Sequence, residues 1–111
     1  MRYAMLVDYR FCTGCHACEV ACKQEHRIPA GKSAGIKVIE QVQEFPSDKL
    51  DLTYYPVLTQ LCFFCRPRVK KGLPPACVKH CMAHCLIFGP LEEVIKELPQ
   101  RRKALLWTQE I

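Results

Sequence analysis

No stretch of this 111-residue chain stays apolar for the length a membrane span requires, and Met1-Arg2-Tyr3-Ala4 opens no apolar signal core or small-residue cleavage site. The expectation is a chain with no direct membrane span and no export address of its own. That implies a cytoplasmic location, with export only in the company of a signal-bearing partner. Phosphate-binding glycines are missing as well: Gly31-Lys32-Ser33 suggests a phosphate loop, but His26 stands where the earlier glycine is required. No nucleophile, general base or phosphate cradle emerges, so the residues give no warrant for substrate chemistry. Acidic residues are also the minority, and the formal charge of +5 invites a nucleic-acid partner. That count treats every cysteine as neutral, and the cysteines are the dominant chemical feature of the chain.

Nine cysteines in a chain this short mark a cysteine-based scaffold. Their odd number and the missing signal favour reduced, metal-binding thiols over disulfides. Four stand in Cys12-Thr13-Gly14-Cys15-His16-Ala17-Cys18-Glu19-Val20-Ala21-Cys22, spaced C-x2-C-x2-C-x3-C. Three thiols at three-residue intervals converge on one inorganic cluster if the backbone curls round it, and Gly14 and Ala17 keep that curl uncrowded. The fourth, Cys22, points away and serves a second cluster. Cys62, Cys65, Cys77 and Cys81 form the other group, C-x2-C-x11-C-x3-C. Crossing the fourth ligands gives Cys12, Cys15, Cys18 and Cys81 for one cluster, and Cys62, Cys65, Cys77 and Cys22 for the other. Each four-iron cluster with its thiolates carries roughly −2, which brings the loaded chain to roughly +1 and removes most of the case for a polyanionic partner.

Between the cysteine groups the pattern changes. Residues 3–8 read as a first strand, and a short helix after Cys18 stops before Ile28-Pro29. Residues 36–45 and 52–58 read as a β-hairpin turned by Pro46-Ser47-Asp48-Lys49, with Ile36, Val38 and Val42 on one face and Pro56 at an edge. The basic, proline-rich interval 66–76 reads as a loop, and residues 86–88 as a strand ended by Gly89. Leu91, Val94, Ile95 and Leu98 form the apolar stripe of a helix opened by Pro90 and closed by Pro99. The tail ending in Leu105, Leu106 and Trp107 either folds back or docks elsewhere.

The run from Asp8 to Glu25 resembles the first cysteine group of the iron–sulfur subunits of dimethyl sulfoxide reductase-type molybdopterin oxidoreductases, including Lys23 after the fourth cysteine. Cys62-Phe63-Phe64-Cys65, Gly72-Leu73-Pro74-Pro75-Ala76-Cys77-Val78-Lys79-His80-Cys81 and Phe88-Gly89 look like the last group of the same subunits. The two middle groups usual in those subunits are absent, so the resemblance implies a two-cluster minimal form. Small partners of tungsten aldehyde oxidoreductases look similar. Met82 departs from the proline usual after the final cysteine. Even spacing also allows a register using Cys81 and Cys85, although Pro74-Pro75 and the distance from Cys65 favour Cys77 and Cys81. Cys85 then reads as a small buried residue rather than an exchange ligand or redox sensor.

The resemblance implies an α+β, two-cluster bacterial ferredoxin-like fold with pseudo-twofold halves. Residues 1–98 form the domain, with the hairpin inserted at about 36–58, and 99–111 form a tail that is a candidate docking arm. The cofactors expected are two [4Fe-4S] clusters. The partners expected are a larger molybdopterin or tungstopterin catalytic subunit and a further redox protein or membrane anchor subunit, with no nucleic acid. Alternatives are a diffusible two-cluster ferredoxin and a zinc-stabilised nucleic-acid-binding module, the latter drawing on Phe63, Phe64 and the basic residues 66–71. Lys23, Arg66, Lys79, His16 and His80 neighbour ligands and are candidates for tuning potentials, while His26 and His84 call for no special role.

Overall fold

A computed structural model describes residues 2–110. Its elements run β1 (Arg2–Asp8), α1 (Ala17–His26), β2 (Ile36–Glu44), β3 (Leu50–Leu58), α2 (Arg66–Lys70), α3 (Ala76–His80), β4 (Leu86–Pro90), α4 (Leu91–Val94), a 3-10 turn (Ile95–Gln100) and β5 (Ala104–Glu110). This is a small mixed α/β chain with two antiparallel sheets, one ordered β4-β1-β5 and the other the β2-β3 pair.

The strand β1 is buried on both faces, which is why Ala4-Met5-Leu6-Val7 runs apolar without alternating. Met5 and Val7 face the core that contains the cysteines. Ala4 and Leu6 face a smaller cluster with Val94, Leu91, Leu98 and Leu106. Asp8 ends the strand, fully buried, and pairs with Arg101 at 3.3 Å. The neighbour of β1 on its other edge is β5, so the tail folds back: Arg2 to Asp8 pair with Glu110 to Ala104. The Gln109 side chain then donates to the Cys62 carbonyl at 2.9 Å. Residues 104–110 are therefore part of the sheet and not a free arm.

Two elements differ from the sequence reading. The stripe from Leu91 to Leu98 is α-helical only to Val94 and then tightens to a 3-10 turn. Pro99 lacks an N–H and its ring crowds the carbonyl of Ile95, so the α-helical pattern cannot continue through it. The tighter turn leaves Ile95 exposed while Val94 is buried. The interval after Cys65 begins as α2, with Pro67 in its first turn, where a missing N–H costs nothing. Gly72, at φ 80°, then ends this short helical stretch.

The hairpin spans residues 36–58 in unbroken register, with Ile36 opposite Leu58, Val38 opposite Pro56 and Val42 opposite Leu52. Its base is buried, with Ile36, Val38, Pro56 and Leu58 against the cysteine core. The same face beyond Tyr54 is open: Val42, Leu50 and Leu52 are all more than half exposed. The hairpin thus overhangs the body. This accounts for a radius of gyration of 14.6 Å and a long axis of 50 Å, against about 13 Å expected of a sphere-like domain of this length.

Candidate metal centre

The first cysteine loop is shaped by backbone conformations that bulky residues resist. Gly14 adopts φ 74° between Cys12 and Cys15, and His16, at φ 61°, opens α1. The Tyr54 ring of the hairpin lies where a Gly14 Cβ would be, 2.5 Å from its Cε1. Tyr9 and Tyr55 pack beside it at 4.8 Å between ring centres. The hairpin therefore presses on the loop and fixes its curl.

Cys18 and Cys22 follow on α1, one helical turn apart, and both are buried. They line different cavities. One is lined by Cys12, Cys15, Cys18, Cys81 and Cys85 and holds about 20 Å³. The other is lined by Cys22, Cys62, Cys65 and Cys77, together with Met5, Ile36, Leu58 and Phe64, and holds about 290 Å³. The geometry thus divides all nine thiols into a set of five and a set of four. The sets adjoin, since Cys18 of one and Cys22 of the other stand one turn apart on α1.

Both sites are apolar, and the thiols register it. Burial raises the Cys12, Cys62, Cys65, Cys77 and Cys85 thiols above their ordinary range and pushes Cys18 up to about 12. Burial is the largest cause in each case, and neighbouring cysteines add to it. A thiolate here requires a compensating cation, which is the chemistry of a metal-binding sulfur set. The four-cysteine site also has donors ready for anionic sulfur. The Gly35 N–H donates to Cys22 Sγ at 3.3 Å, and His26 Nε2 lies 3.2 Å from Cys65 Sγ. Gly35 leaves room for this approach, because a Cβ there would meet Cys62 Cα at 3.1 Å and Cys22 Sγ at 3.4 Å. The donor set and this cradle fit an iron–sulfur cluster.

His26 is the residue the sequence reading passed over. Cys18, Cys22 and His26 recur every four positions, one face of one helix, and that spacing was the available signal. The tuning candidates lie farther out. His16 pairs with Glu19 at 3.0 Å at the rim of the five-cysteine site. Arg66 donates to the Glu110 carbonyl, and Lys79 and His80 are exposed. Lys23 borders a separate surface cleft with Glu19, Lys32 and Lys37. Of the aromatic pair, Phe64 is fully buried against the four-cysteine site, whereas Phe63 is partly exposed and packs on His26. Among the described residues no helix is long and apolar enough to cross a membrane.

Comparison with known proteins places the site in a class. Residues 3–24 match the 4Fe-4S binding domain, so the first cysteine loop is similar to those of iron–sulfur proteins. The particular resemblance is to subunits of two reductases and a dehydrogenase, one of them named an iron-sulfur subunit. A tetrathionate reductase subunit of Salmonella typhimurium is 24% identical over 164 aligned positions, which cover 94% of this chain and 66% of that protein. A protein of Halobacterium salinarum, provisionally named a dimethyl sulfoxide reductase iron-sulfur subunit, is 34% identical over 78% of this chain and 31% of its own length. The beta subunit of dimethylsulfide dehydrogenase from Rhodovulum sulfidophilum is 28% identical over 76% and 29%. The chain spans about two thirds of the first of these relatives and under a third of the other two.

Proposed function

We propose that this chain is an electron-transfer subunit holding two [4Fe-4S] clusters, one on Cys12, Cys15, Cys18 and Cys81, the other on Cys62, Cys65, Cys77 and Cys22. In this reading it relays single electrons between a larger molybdopterin or tungstopterin catalytic subunit and a further redox protein or membrane anchor subunit. One observation carries the proposal: α1 sends Cys18 to one thiol set and Cys22 to the other, and the two sets adjoin. The fourth ligands then cross between halves, which is the pseudo-twofold plan of a dicluster ferredoxin. The alignment with the tetrathionate reductase subunit supports the minimal form, since it runs longer than this whole chain and so includes segments that this chain lacks.

Each cluster, when bound, supplies a site that takes up and gives back one electron. The chain's own residues do the rest. Met5, Ile36, Leu58 and Phe64 exclude water from the four-cysteine site, and the Gly35 amide and His26 ring stabilise added negative charge on its sulfurs. Lys23, Arg66 and Lys79 contribute at longer range through charge, and His16 and His80 through their polar rings. A zinc module is disfavoured by the ligand spacing: four-cysteine zinc sites draw two pairs from separate knuckles, whereas Cys12, Cys15 and Cys18 form an uninterrupted triple. A diffusible ferredoxin is disfavoured by the overhanging hairpin, whose Val42, Leu50 and Leu52 expose an apolar face that a docked subunit covers.

Anaerobic purification with iron and acid-labile sulfide analysis tests the proposal. About eight irons and eight sulfides per chain are expected. About two zincs without sulfide would overturn it, and about four irons would reject the second cluster.

A further inference from the structure

The ninth cysteine has a place in the structure that packing alone does not call for. Cys81 ends α3 in an extended conformation, and His84 adopts the left-handed region at φ 52°. The His84 N–H donates to the Cys81 carbonyl at 3.2 Å, closing a turn that brings the chain back on itself. Cys85 emerges beside Cys81, and the Asp8 N–H holds it there by donating to its carbonyl at 2.8 Å. The two Sγ atoms are 3.5 Å apart. Both residues are buried, and both line the cavity with Cys12, Cys15 and Cys18.

We infer that Cys85 is a reserve ligand, able to take the coordination position proposed for Cys81. The inference rests on the two-cluster reading and deepens it at one site. Rotating a cysteine χ1 between staggered wells moves its sulfur by roughly 3 Å, close to the 3.5 Å that separates the two sulfurs. One such rotation is on the scale of the gap between the two sulfurs, so the exchange asks for a side-chain movement and not a displacement of either helix or strand. A cysteine serving only to fill space would pack like alanine or valine and would have no reason to face a second thiol in a sulfur-lined cavity. In the exchange Cys81 leaves its iron as a thiol while Cys85 binds as a thiolate. One proton passes between the two sulfurs, and no electron is gained or lost. The remaining three ligands stay in place.

The test compares full-length wild type, Cys81→Ala, Cys85→Ala and the double variant, purified anaerobically. The readouts are iron and sulfide per chain, far-UV circular dichroism and the electron paramagnetic resonance of the reduced protein. Each single variant should keep the wild-type iron count, with a changed cluster spectrum in Cys81→Ala, and the double variant should lose about half of it, about four irons of eight. The inference is overturned if a folded Cys81→Ala chain already loses that half, or settles at one iron fewer than wild type, or if the double variant loses nothing. A wild type with fewer than about eight irons instead overturns the two-cluster reading, because the inference is judged on the ratio of variant to wild type. Should Cys81→Ala not fold, Cys81→Ser replaces it: a spectrum of all-cysteine ligation supports the exchange, and one of oxygen ligation overturns it.

Discussion

Replacing Gly14 by alanine should loosen the first cysteine loop, and the structure supplies the size of the effect. Gly14 sits at φ 74°, a conformation that costs an L-residue about 1–2 kcal/mol. Its new Cβ would lie 2.5, 2.6 and 2.8 Å from three atoms of the Tyr54 ring. Carbon atoms pack at about 3.5–4.0 Å, so the ring must retreat by about 1 Å. Overpacking of this kind costs about 1–3 kcal/mol. The total is about 2–5 kcal/mol, of which only the ring's share depends on Tyr54. Gly14→Ala, Tyr54→Ala and the double variant form a cycle that separates the two parts. Loss of visible cluster absorbance in urea under anaerobic conditions is the assay, read as a rate because cluster loss is irreversible. Gly14→Ala should accelerate that loss ten-fold or more, about 1.4 kcal/mol per decade, and the double variant should fall short of the summed effects by about 1–3 kcal/mol. Strictly additive effects would refute the claim that the hairpin braces the loop.

Two other perturbations bear on the metal centre. His26→Ala removes the hydrogen bond to Cys65 Sγ; losing about 1 kcal/mol of preference for the reduced state should lower that cluster's potential by about 40 mV in a redox titration, and an unchanged potential would count against the contact. Cluster loading should release about four thiol protons per cluster, on top of those given up by the supplied hydrogen sulfide, because burial keeps thiols such as Cys18, pushed up to about 12, protonated at neutral pH. The sign follows: loading competes with protons, so it weakens as pH falls and strengthens as pH rises toward the range where these thiols ionise. A pH indicator in weakly buffered, anaerobic reconstitution measures the release, and a total no larger than the supplied sulfide accounts for would contradict it.

What the sequence could and could not convey divides along physical lines. The cysteine spacing was legible because cluster ligation demands particular intervals, and the hairpin was legible because β-branched runs flank a turn of Pro, Ser and Asp. The fate of the tail was not, since Leu105 and Trp107 suit a sheet edge in this chain as well as a groove in another. The 3-10 turn at Ile95 was obscured by an apolar stripe that fits an α-helix until Pro99 is taken as a constraint acting four residues back. The four-residue spacing sets His26 on the helix face of Cys18 and Cys22 but does not name Cys65 as its partner, and no local pattern announces the contact of Tyr54 with Gly14. Cys85 was readable as one more buried cysteine. Its contact with Cys81 depends on a turn in which His84 takes a left-handed conformation uncommon outside glycine.

The most direct measurement concerns the two cysteines one turn apart on α1. Cys18→Ala and Cys22→Ala, each reduced and studied by electron paramagnetic resonance, should leave different residual clusters. The spectrum left by Cys22→Ala should coincide with that left by Cys62→Ala, and the spectrum left by Cys18→Ala with that left by Cys12→Ala. If Cys22→Ala instead left the same spectrum as Cys12→Ala, the first cysteine run would hold one cluster by itself and the crossed arrangement would be wrong.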